Sequence, residues 1–283
     1  MLTITVLLEN NTRSEALACE HGLSLLLTCE GKTLLFDTGA SDAFLRNAHA
    51  MSVDLDAVSS IVLSHGHYDH AGGLGHALQY FAREKREKNL PEVIAHPDAL
   101  LPRRRMTTEK EPGKYTGIPE EALTLLQSWP LRLLKEPLQL TESLLYLGEI
   151  PRKYPETQAL VGEMARGGVY QPDLMLDDTA LVYVNGEEKN RALTVIAGCA
   201  HSGIVNVVEH AKAVTGVNRV HAVIGGLHLR VESKAVKERT EWAQRYFTEQ
   251  GVEILRGCHC TENSLDGDPR QKPLHTGDYL EIA

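Results

Sequence analysis

An α/β architecture is expected for this chain: two β-sheets sandwiched by helices, in a single domain with an irregular insert at about residues 98–155. Three observations carry that expectation. Apolar runs of strand length come in an early series and then alternate with helical periodicities, the pattern of layered sheets covered by helices. A length of 283 residues, long for one domain, still suits an α/β fold around one large core. No repeat or low-complexity segment interrupts the order.

The elements follow in sequence. TITVLLE (3–9) alternates like a strand, and GLSLLLTCEGKTLLFDTG (22–39) reads as a hairpin turning at Glu30-Gly31-Lys32. Asp37-Thr38-Gly39 closes its second strand, and a short helix is expected from Ser41, a good N-cap for DAFLRNAHA. AVSSIVLS (57–64) is a compact buried strand, LGHALQYFAREKREK (74–88) a helix ending in a solvated charged turn, and EVIAHP (92–97) another strand. Scattered prolines mark 98–155 as an excursion over one edge of the core, with one helix at PEEALTLLQ. Within it PGKYTGIPEE is expected to form part of a lid. Regularity returns with TALVYVNGEEKNRALTVIAGCAHSG, two strands about a glycine-containing turn, ending at His201. The helix IVNVVEHAKAVTG, the strand VHAVIGG, the helix ESKAVKERTEWAQRYFTEQG and the strand VEILRGCHC complete the alternation.

Composition narrows the function classes. Hydrophobic residues at 42% and charged residues at 24% are those of an ordinary soluble protein. A net charge of −9 argues against a nucleic-acid backbone as partner. Five cysteines, an odd number, suggest reduced thiols and a cytoplasmic setting. MLTITVLLEN lacks the basic and long apolar regions of a signal peptide, and no apolar run approaches the ~20 residues that span a bilayer. A small-molecule substrate is therefore expected, with neither nucleic acid nor membrane as partner.

Chemistry concentrates at strand ends. Asp37 ends one strand, His65, His67, Asp69 and His70 follow another in IVLSHGHYDHAGG, and His201, His228 and His259 follow three more. One histidine after one strand is usually structural; several strand ends supplying histidines to one rim are not. In His-x-His within an extended loop, side chains two apart point to the same side and can bind one ion, and imidazole with carboxylate suits zinc, with manganese or iron as alternatives. Gly66 leaves room for the close turn, and Gly72-Gly73 let the backbone enter the next helix.

SHGHYDH resembles the His-x-His-x-Asp-His signature of the metallo-β-lactamase superfamily, with FDTG before it and GCAHSG and GCHCT after it in the expected order. SHGHYDHAGGL, GCAHSGIVN, GGLHL and HCT look like the branch named after 7,8-dihydropterin-6-methyl-4-(β-D-ribofuranosyl)aminobenzene-5′-phosphate synthase. The resemblance runs from Asp37 to Thr261 and implies an αββα sandwich. It implies one or two divalent cations, with His65, His67 and His201 on the first and Asp69, His70 and His259 on the second. It also implies that Asp37 braces the histidine loop through hydrogen bonds.

One departure stands out. Most dinuclear members carry a bridging aspartate after the strand that follows the third-histidine motif, whereas this chain reads AVIGGLHLR there. His228 is the polar residue available, as a ligand or as a proton donor to substrate. The implied reaction is hydrolysis of a small ester, amide or phosphoester by metal-activated water, with Asp69 orienting the attacking oxygen. The branch name implies instead a transferase or synthase acting on a pterin-like or ribosyl-aminobenzene phosphate compound. A non-catalytic metal-binding protein is the third reading.

Arg103-Arg104-Arg105 offers a clamp for a substrate phosphate, although a solvated basic loop is the better expectation. Cys199, Cys258 and Cys260 are expected to be buried thiols turned away from the ions. Asp177-Asp178 and Glu149 are expected to brace loops, and Tyr68 to pack or touch substrate. His21, His49, His76, His96, His210, His221 and His275 have no motif context, so surface or core roles suffice.

Overall fold

The computed structural model describes residues 1–84, 89–106, 113–154, 162–186, 190–229, 234–261 and 265–283. The chain opens with β1 (Leu2–Leu8), β2 (Ser24–Cys29) and β3 (Lys32–Phe36), then α1 (Ala43–Ala50) and β4 (Val58–Val62). α2 (Tyr68–Ala71) and α3 (Leu74–Glu84) follow, then β5 (Glu92–Ala95), β6 (Arg103–Arg104), α4 (Glu120–Leu126) and β7 (Leu131–Leu133). Next come β8 (Leu138–Gln139), β9 (Leu144–Tyr146), the hairpin β10 (Glu163–Arg166) and β11 (Val169–Pro172), β12 (Ala180–Asn185) and β13 (Ala192–Ala197). α5 (Ile204–Thr215), β14 (Val220–Gly225), α6 (Lys234–Glu249), β15 (Ile254–Gly257) and β16 (Tyr279–Ile282) end it.

Among the described residues one sheet runs β16-β1-β2-β3-β4-β5-β7, a second β15-β14-β13-β12-β9-β8, and a small third β11-β10-β6. Strand periodicity decides what each face buries. Leu34, Phe36, Val62 and Ile94 of the first sheet meet Tyr146, Leu181, Ile196, Ala222 and Ile224 of the second in one apolar layer. Their neighbours Leu35, Ile61, Val93 and Ala95 point the other way, against Phe44, Leu74, Leu78 and Phe81 of α1 and α3. On the far side Val182, Val195 and Val223 pack on Val207, Val208, Ala243 and Phe247 of α5 and α6. Three apolar layers between helix, sheet, sheet and helix make the αββα sandwich. Double-sided burial also explains the unbroken apolar runs in the sequence.

The hairpin at Glu30-Gly31 and the main helices lie where the pattern places them. One reading is corrected, and one strand escaped the pattern. The segment 98–155 is not an excursion throughout: β7 joins the first sheet parallel to β5, and β8 and β9 extend the second beside β12. Strands of two or three residues are too short to show a period of two. β16, antiparallel to β1, was likewise invisible in GDYLEIA. In the expected lid, Pro112 lies outside the described residues, whereas Thr116 O accepts a 2.9 Å bond from Tyr68 N, so the segment leans on the histidine loop. No helix among the described residues is long and apolar enough to cross a membrane.

Candidate metal centre

β3, β4 and β5 are mutually parallel, and so are β13, β14 and β15, so their carboxyl ends form two facing rims. Asp37 follows β3, Ser64 to His67 follow β4, Gly198 to His201 follow β13, His228 follows β14, and His259 follows β15. Four of these residues, Asp37, Ala200, His228 and His259, hold positive φ of 49–60°. Each such position costs an L-residue ~1 kcal/mol or more, strain of the kind that collects at functional sites.

One glycine brings the rims together, and a second lets the histidine loop pack on the segment after β5. A Cβ on Gly198 would lie 2.1 Å from Ser64 Oγ, so only glycine lets the β13 loop reach the β4 loop. A Cβ on Gly66 would meet Ala99 O at 2.1 Å and Arg103 Nη1 at 2.3 Å. Beyond Gly66 the backbone changes state. His67 is extended, at φ −72° and ψ 147°, and α2 begins at the next residue. That switch sends His65 and His67 to one side and Asp69 and His70 to the other.

One donor atom from each of His65, His67 and His201 lies within 4.8 Å of the other two, and His21, Asp69 and His259 form a second such set. His65 Nε2 is 3.1 Å from His67 Nδ1, and His70 Nε2 is 3.1 Å from His259 Nε2. Two ligands on a tetrahedral zinc, with bonds of 2.0–2.1 Å, stand ~3.3 Å apart. Asp69 Oδ2 completes the second set, 3.5 Å from His259 Nε2 and 4.0 Å from His70 Nε2.

The hydrogen bonds behind these nitrogens fix which lone pairs face inward. Asp37 Oδ1 accepts from Ser64 N at 2.7 Å, and Oδ2 accepts from Ser64 Oγ at 2.6 Å and His70 Nδ1 at 2.7 Å. Having given its proton to Asp37, Ser64 Oγ accepts from His65 Nδ1 at 2.9 Å. Asn10 Oδ1 accepts from His259 Nδ1 at 3.1 Å, its orientation set by Gly22 N donating to the same oxygen and by Asn10 Nδ2 donating to His259 O. His65, His70 and His259 therefore each carry hydrogen on Nδ1 and present Nε2 to the interior. Lone pairs facing each other at 3.1 Å repel unless a cation or a proton lies between them. The residues fit a divalent ion.

Electrostatics agree. Burial, then the neighbouring histidines, hold His65 and His201 well below the ordinary imidazole range, in the neutral form that binds metal. Burial likewise brings His259 down to about 4. Burial opposes a charge on His70, but the Asp37 carboxylate outweighs it and raises His70 to about 9, so in the ion-free chain a proton answers the facing nitrogens. Burial works against the Asp69 carboxylate too, yet the His21 hydrogen bond and the nearby imidazoles hold its pKa far below the usual range.

His65, His70, His201 and His259 are buried, His67, Tyr68 and His228 are partly exposed, and the His21 side chain is 52% exposed. The open face of the centre thus runs along His21, His67, Tyr68 and His228. His228 stacks near His201, ring centres 4.5 Å apart, and its Nδ1 is 3.3 Å from Cys199 Sγ.

Among the three arginines, Arg103 departs from expectation. Arg103 is buried, giving Nε to Asp173 at 2.7 Å and Nη2 to Asp177 at 2.6 Å. It is neither solvated nor free to hold a phosphate. Asp177 Oδ2 also accepts from Gly66 N at 2.8 Å, so the pair grips the histidine loop from behind. Arg104 pairs with Glu163 and stacks on Tyr170, and Arg105 is exposed. Asp178 grips the other rim, accepting from Ser202 N at 2.8 Å and Ser202 Oγ at 2.6 Å. Glu149 pairs with Lys135 and His96.

Sequence reasoning missed His21, which bonds Asp69 Oδ2 at 3.2 Å, as well as Asn10 and Ser64. No spacing rule links His21 to a loop nearly fifty residues later. Cys199, Cys258 and Cys260 are buried as expected, yet Cys199 and Cys260 lie among the donors rather than away from them.

Comparison with known proteins points the same way. Residues 18–126 match the model of the metallo-beta-lactamase superfamily. An uncharacterized protein of Methanocaldococcus jannaschii is 32% identical over 259 residues, covering 90% of this chain and 89% of its own length. The same organism's 7,8-dihydropterin-6-methyl-4-(beta-D-ribofuranosyl)-aminobenzene-5′-phosphate synthase is 30% identical over 283 residues, covering 93% of this chain and 90% of its own. A solved structure described as a metal-dependent hydrolase of the beta-lactamase superfamily is 28% identical, covers all of both chains and superposes with a TM-score of 0.81. A metallo-beta-lactamase fold protein from Bacillus subtilis, 12% identical with a TM-score of 0.58, shares the fold. Fold, facing histidine rims and relatives that span nearly the whole chain lead to one conclusion: this chain belongs to the metallo-beta-lactamase superfamily.

Proposed function

We propose that the chain is a metal-dependent hydrolase of a small ester, amide or phosphoester. The observation that carries this is the preset inward direction of the Nε2 atoms of His65, His70 and His259. In this reading His65, His67 and His201 hold one cation, and Asp69, His70 and His259 hold a second. The ions are zinc, or manganese or iron, all suited to imidazole and carboxylate. Such an ion supplies Lewis-acid polarisation of a carbonyl or phosphoryl oxygen and lowers the pKa of water from 15.7 towards ~7.

The chain's own residues do the rest. Asp69, ionised and buried, accepts a hydrogen bond from the attacking water and fixes its direction. His21 steadies the Asp69 carboxylate from the solvent side. His228, partly exposed beside His201, gives a proton to the leaving group. Asp37 and Ser64 keep His65 and His70 in the ligating tautomer throughout.

Metal content per chain, measured on protein purified without added metal or chelator, tests the ligand set. About two ions are expected, with the His65→Ala/His67→Ala double variant losing at least one together with turnover. Full turnover in that variant would sink the reading. The synthase from Methanocaldococcus jannaschii supports a second reading, a transferase or synthase on a pterin-like or phosphorylated compound. Oxygen-18 from labelled water appearing in product marks hydrolysis, and its absence marks transfer.

A further inference from the structure

We propose that Cys199 is a metal ligand of this centre, its thiolate lying between the two donor sets where no bridging carboxylate stands among the described residues. The inference rests on the reading of the histidines as metal ligands. Cys199 Sγ shares a 4.8 Å neighbourhood with His65 and His70, with His201 and His228, and with His259 and Cys260. It therefore reaches two histidines assigned to the first cation, His65 and His201, and two assigned to the second, His70 and His259. Among the described residues, no other donor atom enters three such groups.

The position is built rather than incidental. Cys199 follows β13 through Gly198, the residue whose missing side chain brings the two rims together, and it is only 2% exposed. Cys199 Sγ donates to Cys260 Sγ at 3.1 Å and lies 3.3 Å from His228 Nδ1, so its place is fixed by two contacts.

Charge supplies the reason for an anion there. Two divalent cations bring four positive charges, and among the described residues Asp69 is the one carboxylate in the donor sets. Asp37 is engaged by His70 and Ser64. The turn after β14, Gly225 to Leu229, contains no acid. A thiolate from Cys199 adds the missing negative charge, and a soft sulfur among imidazoles favours zinc or iron over magnesium or calcium. As the sulfur–metal bond forms, the S–H proton leaves to solvent, so uptake of the ion releases one proton per ligating thiol.

Cobalt(II) loading reads the sulfur directly, without an activity assay. The cobalt protein is expected to show an intense sulfur-to-cobalt charge-transfer band in the near ultraviolet. Cys199→Ser should lose that band, retain its far-ultraviolet circular dichroism and bind the ion at least ~10-fold more weakly, as loss of a supporting ligand does. Cys260→Ser and Cys19→Ser should keep the band. Native zinc protein should show sulfur scattering at ~2.3 Å in X-ray absorption, a check that needs no variant. Ions bound without the band, without zinc-edge sulfur, or with a band that survives Cys199→Ser, overturn the proposal and leave the histidine ligands standing. Failure to bind any ion overturns both.

Discussion

Asp177 and Asp178 are adjacent in sequence but hold opposite rims of the centre, one through Gly66 N and the other through Ser202. Arg103 neutralises the first of them inside the protein, where an unpaired charge is costly. Replacing Arg103 with Met leaves Asp173 and Asp177 buried without their partner, and breaking such a pair costs ~3–5 kcal/mol. Urea denaturation of the variant should show a midpoint well below that of the parent. An unchanged midpoint would mean that the pair is solvated in solution. Asp37 acts through tautomers instead. Asp37→Asn can offer His70 Nδ1 an NH₂ group instead of an acceptor, which weakens the inward Nε2 ligand. Metal affinity is expected to drop ~10- to 100-fold with the fold intact, measured by competition with a chelating dye. These residues also mark the limit of sequence reading. His65, His67, Asp69 and His70 are legible because a single loop carries them all. Arg103 is not, because its meaning depends on acids about 70 residues away.

Elements set the candidate ligands by where they stop. The extended-to-helical change at His67 turns one short motif into two donor directions, and the register that places His65 opposite His201 depends on Gly198. Gly198→Ala drives a Cβ to 2.1 Å from Ser64 Oγ and 2.9 Å from Asp37 Oδ2. Relief requires the β13 loop to retreat from the β4 loop, at the ~1–3 kcal/mol typical of overpacking. Both the thermal midpoint and the metal stoichiometry should fall. A loss of stability with metal binding unchanged would show that the rims move independently. Long two-sided strands such as β4 and β13 announce themselves as apolar runs, so the sites at their ends can be read from sequence. β7, β8 and β9 cannot, since their two or three residues gain their order from strands already in place.

For the whole molecule, the proposed centre would stabilise the fold as well as serve as a candidate catalyst. With candidate ligands on both sheets, an ion bound to the folded chain alone would tie the sandwich together, and occupancy at 100 times Kd would add ~2.7 kcal/mol. Removing metal with a chelator should therefore lower the melting temperature. The metal-free chain should then show a distinct pH response. Burial keeps His259 at about 4 when folded and holds His65 and His201 well below the ordinary value, whereas unfolded histidines titrate near ~6.5. Across that window the unfolded chain binds more protons, so the stabilising contribution of these residues, complete above ~6.5, falls as pH drops towards 4. His70 has the opposite sign: raised to about 9, it stabilises the fold below ~6.5 and loses that contribution as pH rises through 9. His67, also brought to about 4 by burial, makes four such histidines, and their combined proton uptake on unfolding outweighs the opposing His70 and the buried carboxyls Glu9, at about 7, and Asp178, at about 6. Melting curves of chelated protein should shift downward from pH 7 to pH 5, while zinc-loaded protein holds its midpoint until protons displace the ion. Equal acid sensitivity with and without metal would mean that these histidines are solvated in the folded chain, and that the facing nitrogens do not form a binding site.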